Sequence, residues 1–303
     1  MQVVTRKKRP LGKRVAHAIR QDIGAWVLML PSLIIFTFFV WQPLVNGLIL
    51  SLYETKGFDP VQFIGLKNFM DVMSESSFQS AVSNTFKYTL WSLLLGFPLP
   101  ILTAVMLNEV KRLKGFFRFT VYFPSIVPGI AAAIMWELIY HPTSGLLNSI
   151  LALFGASAVP WLQNQNLVIP CIVIMMTWKG FGSTAILYLA SLQGVNQELY
   201  EAAMIDGAGV FRKFWNITLP SISGMFSLML VMQIISVFQV MYEPLTMTDG
   251  GPNNASISLM LTSYFYGFRF YQAGRAAAVG TITFLFLIGL TVLYFYLQKK
   301  NDS

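Results

Sequence analysis

Six apolar runs, each close to or longer than the ~20 residues a helix needs to cross a bilayer, partition this 303-residue chain and leave little choice of architecture. They lie at about 24–52, 85–108, 119–140, 167–192, 220–242 and 276–297. Inside lipid every backbone N–H and C=O has to be paired within its own segment, so the runs are read as helices. The composition agrees: 55% of residues are hydrophobic, 11% are charged, and the mean hydropathy of +0.60 is far above that of a soluble domain. The expected class is an all-α polytopic membrane protein, with one bundle of about six transmembrane helices over 24–298 behind a basic tail over 1–23. The first run is too long for the apolar core of a cleaved signal and has no small-residue cleavage site after it, so it is read as a retained helix.

The distribution of charge sets the orientation. Lys and Arg number seven in the tail (Arg6, Lys7, Lys8, Arg9, Lys13, Arg14, Arg20), four at Lys111, Arg112, Lys114 and Arg118, two at Arg212 and Lys213, and two at Lys299 and Lys300. The alternate connections hold only Lys56, Lys67, Arg269 and Arg275, with Lys87 near a span boundary. By the positive-inside rule both termini are expected on the cytoplasmic side of a bacterial inner membrane. Cations scattered over separate loops also argue against a nucleic-acid partner, despite the formal charge of +8. The single Cys171 excludes a disulfide framework, and neither His17 nor His141 has a metal-ligand cluster around it.

The least loop-like connection is the polar island 194–220, which includes YEAAMIDGAGVFRKFWNITLP from Tyr200 to Pro220. Asn196 is placed to cap a short helix whose first turn carries Glu198, with Val195 and Tyr200 forming a hydrophobic staple. Gly207 and Gly209 break that helix, and Asp206 is expected to cap a second one containing Phe211, Arg212, Phe214 and Trp215. The result is a helix, a glycine turn and a helix along the membrane surface, with Ala202 and Ala203 flat and Glu201 charged. Such a unit suits docking into a groove on a soluble protein.

The spacing of Glu201, Ala202 and Ala203, then Gly207, then Ile217, Leu219 and Pro220 resembles the EAA loop of the transmembrane subunits of binding-protein-dependent ABC importers. TWKGFG (Thr177 to Gly182), TDGGP (Thr248 to Pro252) and FIGLKNF (Phe63 to Phe69) are similar to segments of the maltose-permease-like carbohydrate permeases, of the larger-subunit type. The chain lacks that subunit's extra leading helices and large outside domain. The resemblance implies the type I importer permease fold and a pairing with a second homologous permease. It further implies two ATPase subunits, an extracytoplasmic sugar-binding protein and a sugar or oligosaccharide substrate. It assigns ATPase coupling to Glu201, Ala202, Ala203, Asp206, Gly207, Ile217, Leu219 and Pro220. The chain has no Gly-x4-Gly-Lys-Ser/Thr phosphate loop, so no cofactor is expected on it, and ATP and Mg belong to the partner ATPase. It is read as a permease, not an enzyme.

Polar groups inside the bilayer usually face the bundle or a cavity. On the fourth span Met176, Lys179, Gly180 and Ser183 share a helical face; on the fifth, Gln233, Ser236, Val237 and Val240 share another, with Gln239 and Tyr242 nearby. The resemblance places both faces on the sugar pathway. Hydroxyl and amide groups there also suit hydrogen bonding between helices. Lys179 has three readings: a structural pair with a carboxylate such as Glu137, extension into a wet cavity, or contact with an anionic, uronate-bearing sugar. The alternative class is an ion-coupled secondary transporter, which would need acidic residues deep in the spans, where Glu137 is the near candidate.

Overall fold

The computed structural model describes residues 23–110 and 112–301, so nearly all of the basic tail lies outside the described residues. The chain divides into two units, 1–49 and 50–303. Most of the first described unit is helix α1 (Ile23–Leu50), loosened by a π-helical stretch at Thr37–Trp41. None of its most apolar 18-residue stretch is buried. A helix that is apolar all round and has no covered face needs lipid or another protein about it.

In the second unit the connection expected over 53–83 is more ordered than its polar composition implied. A two-stranded antiparallel hairpin, β1 (Tyr53–Lys56) and β2 (Asp59–Phe63), is followed by α2 (Lys67–Ser74). Helix α3 (Ser76–Glu109) then starts nine residues before the expected span and runs for 34 residues, about 50 Å at 1.5 Å per residue. That exceeds a ~30 Å hydrocarbon core, and the surplus length matches first turns rich in Ser and Gln. Midway, the Phe97 amide reaches back five residues to the Ser92 carbonyl at 3.0 Å, and this widened turn precedes Pro98, which has no amide to give.

The third expected span is two helices, α4 (Lys114–Ile126) and α5 (Gly129–Ile139), that meet at 92°. Pro128 is the cause: the residue before a proline is pushed out of the helical region, and Val127 is extended at φ −63° and ψ 131°. After α6 (Leu146–Leu153) comes the unbroken α7 (Val168–Leu192). Next are α8 (Gln197–Ile205), α9 (Val210–Ser221) and α10 (Ser223–Phe238), the last two bent by 76°. The fifth span therefore ends at Phe238, not 242. A new short helix, α11 (Tyr242–Thr248), begins beyond it, and α12 (Leu259–Tyr264) leads to α13 (Ala273–Asn301). Four long helices plus two bent pairs make up to six spans.

Helix α7 is central. Ile172 and Met175 near its start pack with Tyr88, Ala133, Tyr140 and Val237, while Tyr188 and Leu192 near its end pack with Ile101, Ala104, Leu107 and Ile222. Between these clusters Gly182 lets α4 approach at backbone distance, since a Cβ there would stand 1.9 Å from the Val121 carbonyl oxygen. The Ser125 hydroxyl donates to the Lys179 carbonyl at 3.0 Å across the same helix pair. A third cluster, with Val72, Phe78, Phe238, Leu261 and Val279, joins α2, α3, α10, α12 and α13.

Polar ties hold the connections. Arg275 bridges Asp71 at 3.2 Å and Glu75 at 2.9 Å, and the Tyr266 hydroxyl also donates to Glu75. Asn84 donates to the carbonyls of Asn254 (2.7 Å) and Ile257 (3.1 Å), and Tyr88 to that of Ser256 (2.9 Å), which pins the turn-rich loop onto α3. Buried Asn148 donates to the Pro142 and Val159 carbonyls and accepts from Val159 N and Trp161 Nε1, ordering the uncharged loop 141–166.

Candidate functional site

The island forms a helix, a reversal and a helix. The Asn196 side chain accepts from the Glu198 amide at 3.0 Å and starts α8. At the other end Gly207 adopts φ +71°, a left-handed conformation that favours glycine, and the Ala208 amide closes back on the Ala203 carbonyl at 2.8 Å. Asp206 is the residue that follows the last of α8, its amide bonded to the Ala202 carbonyl; it does not cap the second helix, contrary to expectation. Gly209, extended at φ −69° and ψ 172°, stands at the start of α9 without a side-chain cap. The glycine turn carries the chain past Asp206 before helical geometry resumes.

A hydroxyl contact of 3.1 Å between Tyr200 and Thr218 ties α8 to α9. Glu201, Ala202, Asp206, Gly207 and Pro220 are exposed, and Ala203, Ile217 and Leu219 are half-buried. Around the turn Ile205 is 87% and Phe211 83% exposed, with Met204 and Val210 also bare. These bare apolar side chains form an uncovered apolar tip on a segment otherwise rich in polar groups.

The second feature is a cavity of about 400 Å³ between α3, α7, α10 and α11. Of the residues expected on the pathway, Met176, Lys179, Gly180, Ser183, Gln233, Ser236, Val237 and Tyr242 all line it. Gln239 and Val240 do not. Helix α10 stops at Phe238, so the helical face on which Val240 was placed does not extend that far; Gln239 is exposed, and buried Val240 accepts a hydrogen bond from Ser258 through its carbonyl. The wall from α3 was not foreseen. Its widened turn carries Ser92 and Gly96, and the Gln233 amide donates to the Ser92 hydroxyl.

Among the other lining residues that sequence reading missed, which include Thr177, Phe181, Thr184 and Met232, the charged one is Glu243. It is 6% exposed, in the first turn of α11, and its Oε2 has no hydrogen-bond partner. As the first residue past the apolar run, it was read as part of the following polar loop. The three ion pairs among the described residues are Arg269–Asp249, Arg275–Asp71 and Arg275–Glu75, so Lys179 is not paired with Glu137. Lys179 and Glu243 both line one cavity instead.

Bent and straight apolar helices around a cavity that several polar side chains reach, with a helical hairpin built from one of the connections, define the class of membrane permeases. Residues 96–303 match the family model for the binding-protein-dependent transport system inner membrane component, and the chain belongs to that family. It is similar to the Trehalose/maltose transport system permease protein MalF of Thermococcus litoralis, 33% identical over 89% of this chain and 91% of that protein. The Probable ABC transporter permease protein YurN of Bacillus subtilis is 32% identical over 94% and 99%. A chain in the crystal structure of a bacterial alginate ABC transporter in complex with alginate pentasaccharide-bound periplasmic protein superposes with a TM-score of 0.82. It is 26% identical over 95% of this chain and 98% of that one. The protein is thus a multi-pass inner-membrane transport component of the ABC class, not an enzyme, and membership implies ATPase and binding-protein partners.

Proposed function

We propose that this chain is one of two different but homologous permease subunits of an ABC importer for a sugar or oligosaccharide. Both its termini are cytoplasmic, and two ATPase subunits beneath it hydrolyse Mg-bound ATP. Helices α8 and α9 seat in the ATPase and transmit its closure to α10, whose bend relative to α9 converts that push into movement of the spans. The cavity is the sugar's stopping place during alternating access. Its polar lining supplies hydroxyl and amide partners, and Phe97 and Tyr242 supply faces on which a sugar ring can stack. Relatives named for trehalose/maltose and for alginate uptake support a carbohydrate substrate.

The observation that carries this reading is the convergence of polar side chains from α3, α7 and α10, among them Ser92, Lys179, Gln233 and Ser236, on one cavity. The test is to reconstitute the full complex in proteoliposomes, with its binding protein outside and ATP inside, and to measure sugar uptake and ATP hydrolysis together. Coupled, sugar-dependent rates are expected. Uptake that follows an ion gradient without ATP would instead identify a secondary transporter.

A further inference from the structure

Only two residues lining the cavity carry formal charge, Lys179 on α7 and Glu243 on α11. They are not within ion-pair distance of each other, so they sit as separate opposite charges around one space. Glu243 is 6% exposed, and its Oε2 lies buried with no hydrogen-bond partner in the protein, while the Tyr242 hydroxyl bonds to the same carboxyl group. A buried charged acceptor without a donor is costly, and such groups usually have a ligand or water that completes them.

We propose that Glu243 and Lys179 form a net-neutral pair of anchors that selects uncharged sugar units and disfavours uronates. This rests on the reading of the cavity as the sugar pathway. A carboxylate only accepts hydrogen bonds, so it calls for a donor such as a sugar hydroxyl. An ammonium only donates, and it suits ring and hydroxyl oxygens. A sugar is rich in both, and bonds to charged partners are the stronger ones. A uronate drawn to Lys179 would meet the Glu243 carboxylate in the same space, and like charges placed together lower affinity. Lys179 alone would favour acidic sugars, and Glu243 cancels that preference.

Neighbouring groups support the assignment. Tyr242, the residue before it, also lines the cavity, and its ring packs where a Cβ on Gly129 would stand 2.8 Å from it, so the start of α5 fixes the start of α11. Glu243 and the following Pro244 are both buried, which holds the carboxylate in place.

The test is titration of the detergent-purified importer complex with maltotriose and with trigalacturonate, read by saturation-transfer NMR, so that the binding protein's own selectivity does not intervene. Wild-type complex is expected to bind maltotriose at least about tenfold more tightly, and Glu243→Gln to weaken maltotriose about tenfold while strengthening trigalacturonate. Glu243→Gln together with Lys179→Met should bind both weakly and without preference. Equal or tighter wild-type binding of trigalacturonate would overturn the proposal, as would a selectivity ratio unmoved by Glu243→Gln. The wild-type ratio alone decides if that variant fails to assemble. Binding of neither sugar to the wild type, in a complex whose ATPase is active, would instead remove the underlying pathway reading.

Discussion

Gly182 on α7 lies against Val121 on α4 so closely that one added methyl group would stand 1.9 Å from the Val121 carbonyl oxygen. That obstacle is backbone, which cannot swing aside as a side chain would. Gly182→Ala is expected to cost at least the ~1–3 kcal/mol typical of overpacking, because two spans would have to separate. The checks are the amount of complex extracted intact and its thermal midpoint, both of which should fall. Gly180→Ala, two residues away with open space around its missing Cβ, should change neither.

Glu201→Lys and Gly207→Val should leave the chain in the membrane but weaken its hold on the ATPase. The first reverses an exposed charge on α8, and the second forces a β-branched residue into φ +71°, a strain of ~1–3 kcal/mol. Copurification of the ATPase and uptake should both drop by about tenfold or more. Unchanged values in both variants would exclude docking through this turn.

Gln233 reaches Ser92 across the cavity, so Gln233→Leu removes a donor from both the helix contact and the lining. Membrane assembly should persist, with a loss of ~1 kcal/mol in stability. Uptake should fall far more than stability does; equal losses would mean that the amide serves packing alone.

Arg275 and Arg269 should behave differently from each other. Arg275 joins Asp71 and Glu75 and is half-buried, so Arg275→Gln strands two carboxylates and should destabilise by ~1–3 kcal/mol. Arg269 pairs with Asp249 in the open, where the hydrogen bond from its guanidinium raises an already high pKa and has no effect near neutrality. Arg269→Gln should therefore cost under ~1 kcal/mol. Thermal unfolding of the two variants at two salt concentrations separates them.

Much of this was written into the chain at the scale of whole segments. Apolar run length located the long apolar helices, and the Glu201–Gly207–Pro220 spacing singled out the connection that folds as a helix, a reversal and a helix. What periodicity did not reveal were the places where a helix stops obeying it. Pro128 lies in an apolar run that reads as continuous, yet it turns the third span by 92°. The fifth run extends to Tyr242 by hydropathy, but the helix ends at Phe238, and that four-residue difference removes Val240 from the cavity and brings Glu243 to it. Asp206 has the chemistry of a cap, but Gly207 beside it turns the chain first. Termination depends on backbone geometry and neighbours, to which hydropathy is blind.

The bare Ile205 and Phe211 at the tip of α8 and α9 also bear on how much of this protein a cell can tolerate. A copy made without its ATPase would present that greasy tip to chaperones and membrane proteases, whereas a docked copy would hide it. Removal of unpartnered copies would then keep the numbers of permease and ATPase in step without any dedicated regulator.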